Sequence, residues 1–281
     1  MDDEAFIAHV GRRLADLPGV EAVTLGGSRA EGTNRPDSDW DFSLYYRGYY
    51  RGGFDPQALR DIGWPGEASE IGGWSALPGG VFNGGAWLRI DGRQSDVHYR
   101  DLRVIDRVIA SAQEGRFEIE HLWFHLAGLP SYLVLAELAT KRMLAGELPD
   151  VTYPAALREK APQVWWEQAE AEFDYARRYH ASAGRLTQCI GLTARAASCA
   201  AHAVLAARAI WITNEKQLFI RAQLGEVDDI LAAAIPDPDV LRDVVDRVRA
   251  ECSEALRRAQ ADGPATPPWT VHSAPAGHPR G

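Results

Sequence analysis

The sequence predicts an α+β fold: a small mixed β-sheet with flanking helices over residues 1–112, then an all-α helical bundle over 113–260. Three observations carry this reading. Val20–Leu25 and Trp40–Tyr46 are short runs near the N-terminus, with the alternation and the β-branched or aromatic content of half-buried strands. Asp91-Gly92 between two apolar runs marks a hairpin. From Asp101 to about residue 260, long Ala-, Leu- and Arg-rich segments repeat at helical period. A length of 281 residues, near twice that of an ordinary domain, fits two units.

Taken in order, residues 4–17 place Phe6, Val10, Leu14 and Leu17 at helical spacing and stop at Pro18-Gly19. The strand Val20–Leu25 runs straight into Gly26-Gly27-Ser28. A short polar helix from Ser28 to Gly32 and a turn through Asn34, Pro36 and Asp37 lead to the strand Trp40–Tyr46. The stretch from Gly52 to Gly85 reads as connection, with one short helix near residues 56–62. Ala86–Ile90 and Gln94–Tyr99 are the arms of the hairpin. The helices beyond residue 101 are punctuated by Gly115, Gly128-Leu129-Pro130, Gly146 to Pro149, Gly184 and Pro236. Residues 261–281, rich in Pro, Gly and polar groups, are predicted to be a disordered tail.

Composition removes several classes of function. Thirty basic residues against thirty-nine acidic ones leave a net charge of −9, which disfavours binding to bulk nucleic acid. Hydrophobic residues make up 46% of the chain, ample for a buried core. No run of about 18 apolar residues stands out, so no membrane partner is expected. The start MDDEAFIAHV lacks the basic-then-apolar layout of a signal peptide, which predicts a cytoplasmic protein. Cys189, Cys199 and Cys252 are odd in number and form no CxxC pair, so neither a disulfide framework nor a cysteine zinc site is indicated. The oligomeric state is not encoded in any motif.

The chemistry concentrates in Leu25-Gly26-Gly27-Ser28-Arg29 and Ser38-Asp39-Trp40-Asp41-Phe42. A strand that ends in Gly-Gly-Ser and opens a helix turns backbone N–H groups toward an anion, and Ser28 adds a hydroxyl donor. Asp39 and Asp41 flank Trp40, and period-two alternation puts both carboxylates on one face, with Cα atoms about 6.6 Å apart. Two hard carboxylates suit Mg²⁺, which shares its oxygen ligands with substrate phosphates. Asp96, set among apolar neighbours in Ser95-Asp96-Val97, is a third acid for a two-ion site. Two ions about 3.5–4 Å apart clamp the attacking and leaving oxygens of an in-line displacement. A phosphate loop for the tail and metals at the attacked phosphorus together predict nucleotidyl transfer with pyrophosphate leaving.

Gly27-Ser28, ten intervening residues and then Asp39-Trp40-Asp41-Phe42 resemble the signature of the DNA polymerase β-like nucleotidyltransferase superfamily. Asp96 resembles that pattern's later acid. The small α+β part followed by helices is similar to the antibiotic nucleotidyltransferases that act on kanamycin and lincosamides. The resemblance covers residues 20–100; beyond them only the layout and Asn214-Glu215-Lys216 look alike. It implies two Mg²⁺ ions, ATP or another nucleoside triphosphate, and transfer of a nucleoside monophosphate, AMP first, to a hydroxyl of a small molecule. Asp39, Asp41 and Asp96 are then the catalytic metal ligands, and Gly26, Gly27, Ser28, Arg29 and Lys216 the nucleotide contacts. The acidic balance permits a cationic acceptor such as an aminoglycoside. Nucleotidylation of a protein or an RNA, and a non-catalytic nucleotide-binding or antitoxin-like module, are the alternatives.

Other constellations give way. Gly26-Gly27-Ser28-Arg29-Ala30 approaches a hydrolase nucleophile elbow, but the helical remainder leaves too few strands for that fold. His121 and His125 stand at i, i+4 on an expected helix without the Glu of HExxH, and read as helix-face residues. Cys199 with His202 reads the same way, and Trp165-Trp166 as bundle core plus one interfacial ring. The base that deprotonates the acceptor is open between Asp96 and a helical-domain acid such as Glu137, whose spacing to Lys141 also suits an i, i+4 ion pair. Arg35 flanks the phosphate loop as Arg29 does.

Overall fold

A computed structural model of the chain describes residues 1–48, 53–72 and 80–265. The tail expected to be disordered lies outside the described residues from position 266 onward. The fold is α+β, as the sequence predicts. One sheet contains β1 (Val20–Leu25), β2 (Trp40–Tyr46), β3 (Gly66–Ala68), β4 (Gly85–Ile90) and β5 (Arg93–Asp101). A small pair, β6 (Ile119–Glu120) with β7 (Leu129–Pro130), lies apart. A sixth strand, β8 (Arg142–Ala145), completes the main sheet in the order β3-β4-β5-β2-β1-β8. Only β2 and β5 run parallel among these neighbours.

The helices are α1 (Asp3–Ala15), α2 (Gly27–Glu31), α3 (Pro56–Arg60), α4 (Leu102–Gln113) and α5 (Leu133–Thr140). They continue with α6 (Ala155–Tyr175), α7 (Leu186–Ala207), α8 (Leu218–Ala222), α9 (Glu226–Ala232) and α10 (Pro238–Asp262). Asp2 caps α1 by accepting from the Ala5 amide, and Asp237 caps α10 by accepting from Asp239 and Val240. The helix expected at 121–125 is not formed. Residues 121–128 are a loop between β6 and β7, because Gly128-Leu129-Pro130 returns as a strand. The strand β8 likewise stands where helix is expected; it pairs antiparallel with the edge of β1 through Leu25↔Arg142 and Thr24↔Met143.

Alternation along the central strands divides the sheet into two chemically different faces. Val23 and Leu25, Trp40, Phe42 and Leu44, and Val97 and Tyr99 pack with Phe6, Val10 and Leu14 of α1 in one apolar core. Each such fully buried side chain stabilises by about 1.5–3 kcal/mol. The intervening residues, Thr24, Asp41, Ser43, Asp96, His98 and Arg100, face the other way. Their side of the sheet meets the helical part, whose core runs from Tyr45 and Ala22 through Leu133 and Trp165 to α7 and α10. Trp165 is fully buried and donates through Nε1 to the Tyr132 hydroxyl at 2.9 Å. Among the described residues α7 alone is long and apolar enough to cross a membrane, but 72% of its most apolar window is buried inside the fold.

Candidate active site

The polar face of the sheet forms the floor of the site. Asp41 on β2 and Asp96 on β5 are direct register partners across the parallel pair, so their carboxylates stand side by side on strands about 4.8 Å apart. Asp39 lies one residue before β2, and Trp40 between the two acids is buried against Phe6, with ring centroids 4.9 Å apart. The aromatic anchor fixes the strand start and so aims both flanking acids outward.

Electrostatically the acids oppose one another. Burial, and then the charges of Asp96 and Asp39, push the Asp41 carboxyl up to about 6. Burial and then Asp39 do the same to Asp96, also to about 6. Lys216 acts in the opposite direction on both. Oδ1 of Asp96 is buried and has no hydrogen-bond partner among the described residues. A buried, unpartnered carboxylate oxygen among like charges costs stability unless something cationic is supplied.

The donor set fits a hard divalent cation on two counts: all its ligating atoms are carboxylate oxygens, and one of them is orphaned. It is an open set. Among the described residues, no three His, Cys, Asp or Glu side chains close around one point, as suits an ion that completes its shell with waters and substrate phosphates.

The phosphate-loop glycines differ in role. Gly27 has φ +60°, and a Cβ there would come within 1.9 Å of Oδ2 of Asp41. Only glycine lets the loop cross the carboxylate that closely. The Gly26 amide is already committed, donating to the Asp41 carbonyl at 2.7 Å, and a Cβ at Gly26 would meet nothing closer than 3.7 Å. Ser28 follows in α2 and lines a cavity of about 730 Å³ with Asp39, Asp41, Asp96, Asn214 and Lys216. This brings together the predicted residues Ser28, Gly27, the three acids and Lys216, the last from 120 positions farther along the chain than Asp96.

Arg29 is not brought to that cavity. Its guanidinium donates to the Ser38 carbonyl at 3.1 and 2.7 Å and to the Asp39 carbonyl at 3.2 Å, and lies 3.9 Å over the Trp40 ring. It braces the turn that presents Asp39. Arg35, by contrast, lines the cavity. Glu137 does not pair with Lys141: its two oxygens accept from Nε and Nη2 of Arg100, both at 2.6 Å. Lys141 instead donates to Asp150 at 2.9 Å and to the Leu138 and Pro149 carbonyls. Burial opposes both charges of the Arg100–Glu137 pair, yet their attraction wins and holds Glu137 below its ordinary value. A carboxylate so engaged is not poised as a base.

Three contributors escape sequence reasoning. His98 lies 4.0 Å from Asp41 (Nε2 to Oδ1), and burial, with the Arg100 charge, pulls it down to about 4, so the contact involves a neutral ring. Arg221 of α8 donates to Glu31 of α2 at 2.9 Å, tying the helical wall of the cavity to the loop that carries Ser28. Glu215 accepts from the amides of Leu126 and Ala127 at 2.7 and 2.9 Å, fastening the 121–128 loop beside Lys216. No local pattern announces these contacts, which join residues 57 to 190 positions apart.

Residues 9–76 match the family of nucleotidyltransferase domains. The chain carries a nucleotidyltransferase domain. Its matched span includes Gly27, Ser28, Asp39 and Asp41 and ends before Asp96 and Lys216. Nucleotidyl transfer is therefore the class of chemistry of this domain, in agreement with the polymerase β-like resemblance. Among solved structures, the chain is similar to spectinomycin adenyltransferase from Enterococcus faecialis, crystallised with ATP and spectinomycin. That likeness has 11% identity and a TM-score of 0.32, over 92% of this chain and 98% of the other. No curated protein sequence matches the chain.

Proposed function

We infer that the nucleotidyltransferase domain works with Mg²⁺ and moves AMP from ATP to a hydroxyl of a small molecule, releasing pyrophosphate. The observation that carries this is the pairing of Asp41 with Asp96, both pushed up to about 6 and facing a cavity that also holds Ser28 and Lys216. Asp39, Asp41 and Asp96 would hold the ions. When bound, Mg²⁺ supplies charge neutralisation and Lewis acidity at the reacting phosphate.

The chain's own residues account for the rest. Ser28 offers a hydroxyl, and Lys216 a cation, to the phosphate tail. Gly27 keeps the loop close enough for the tail to lie against the carboxylates. The Arg29 brace holds Asp39 in place. The Arg221–Glu31 tie keeps the helical wall over the cavity, which favours exclusion of water from the transfer. Residues beyond about 112 then supply the acceptor side, while the sheet supplies the nucleotide side.

Pyrophosphate release from ATP with Mg²⁺ across an acceptor panel tests the reading. Release that depends on an acceptor, and that Asp39→Asn with Asp41→Asn abolishes, is the expected outcome. Tight ATP binding without release under any acceptor would favour a binding module instead. Intact binding and transfer in the double variant would overturn the site.

A further inference from the structure

A second, smaller cavity of about 240 Å³ shares the wall formed by Gly27, Asp41, Asp96, Asn214 and Lys216 with the larger one. We propose that this smaller cavity seats the acceptor, and that the acceptor is an uncharged, hydroxylated single-ring molecule rather than a polycation. The proposal rests on the nucleotidyl-transfer reading and deepens it by naming the acceptor's chemical class.

In-line displacement requires the attacking oxygen and the leaving pyrophosphate on opposite sides of the phosphorus. Two cavities meeting at one pair of carboxylates provide those sides. The larger one holds Ser28 and Arg35 and suits the triphosphate. In the smaller one the acceptor oxygen forms its bond to the α-phosphorus as the bond from that phosphorus to the bridging oxygen breaks. Pyrophosphate departs with the electron pair, and the hydroxyl proton passes to water.

Size and lining set the class. Cavities for drug-sized ligands run about 300–1,000 Å³, so 240 Å³ takes one ring and not a linked series. The carboxylates of this cavity are Asp41, Asp96 and Glu137. The first two face the nucleotide, and both oxygens of Glu137 are taken by Arg100, whose side chain is only 2% exposed. No carboxylate of the lining is left to receive an ammonium group: Arg100 is spent on Glu137, and Lys216 adds positive charge. What remains is amphipathic. Phe82 and Phe124, 6.0 Å apart edge to face, stand with Leu133 for an apolar ring face, and Ser43 and Thr140 stand for hydroxyls. Phe124 sits on the loop that Glu215 fastens beside Lys216, so the aromatic wall is built in register with the nucleotide side.

The test uses the full chain, ATP labelled at the α-phosphate, Mg²⁺ and two sets of compounds. One set is neutral: myo-inositol, methyl glucoside and catechol. The other is cationic: spectinomycin and kanamycin. The expected result is label transfer to a neutral compound with kcat/KM at least about tenfold above either cation. Phe124→Ala, at a side chain 40% exposed, should cut that value about tenfold with the KM for ATP unchanged. A cation as the best acceptor, or a neutral acceptor indifferent to Phe124→Ala, would overturn the proposal. Mg²⁺-dependent ATP binding without transfer to any neutral compound would also overturn it while leaving the nucleotide site standing. Absence of ATP binding would instead sink the reading beneath it.

Discussion

Two pairs of charged groups lie a few residues apart on the same face of the sheet, and they are built on opposite principles. Arg100 and Glu137 satisfy each other with two 2.6 Å hydrogen bonds, and their attraction holds Glu137 ionised. Asp41 and Asp96 repel, and each is pushed up to about 6. Four residues apart along β5, Asp96 is left without a counter-charge while Arg100 donates to both oxygens of Glu137. A fold that can pair buried charges that well has a reason to leave Asp41 and Asp96 unpaired. The first pair is architecture; the second is the one proposed to hold a cation.

Either pair can be removed by substitution. Replacing Asp39 and Asp41 together by Asn should reduce label transfer from ATP by on the order of 10³-fold or more. The same change should not lower the melting temperature, because it removes repulsion. Relief at Asp41, a third of whose side chain is exposed, amounts to about 1 kcal/mol after allowance for solvent screening. Thermal melts in EDTA check it. Glu137→Ala should do the reverse to stability, costing about 3–5 kcal/mol because Arg100 is left buried and alone. Urea unfolding measures that loss, which Glu137→Gln should reduce.

The two loop glycines differ in the same way. Gly27→Ala should lower transfer tens of fold, since the added methyl collides with the Asp41 carboxylate and φ is +60°. Gly26→Ala, with no contact inside 3.7 Å, should leave transfer within a few fold. Parallel kcat/KM values for ATP decide between them.

A pH-dependent effect concerns a buried base on α7, outside the lining of both cavities. His202 stacks on Trp165 at 4.4 Å, and burial, aided by His125, pulls its ring from 6.5 down to about 3. Between those values the unfolded chain binds a proton that the folded one refuses. Stability from this group is thus complete above pH 6.5 and declines as the pH falls toward 3, by about 3 kcal/mol at pH 4.5. His202→Phe keeps the stack and should flatten that decline in urea midpoints taken at pH 7.5 and 4.5.

Much of the sheet was legible because its signals are local. Alternation set β1 and β2 to the residue, and Asp91-Gly92 set the β4–β5 turn, where Asp91 takes φ 47°. The acids were legible because Trp40 and Val97 reveal which neighbours point to the core. The illegible features depend on distant partners. Arg142-Met143-Leu144-Ala145 has helical composition and becomes a strand only because the edge of β1 lies open to it. His121 and His125 mimic a helix spacing, but Glu215 holds their loop from 88 residues away. Arg29 sits in a phosphate-loop motif, yet the Trp40 ring and two carbonyls draw it aside. Arg100 finds Glu137 across 37 positions.

Keeping Asp41 and Asp96 unpaired for nucleotidyl transfer carries a cost in stability. Label transfer from α-labelled ATP, measured with the melting temperature in the Asp41→Asn, Asp96→Asn double variant, tests it most directly. Transfer should fall at least about 10³-fold while the melting temperature holds or rises. Transfer within about tenfold of the unsubstituted chain, or a loss accompanied by a lower melting temperature, would contradict it.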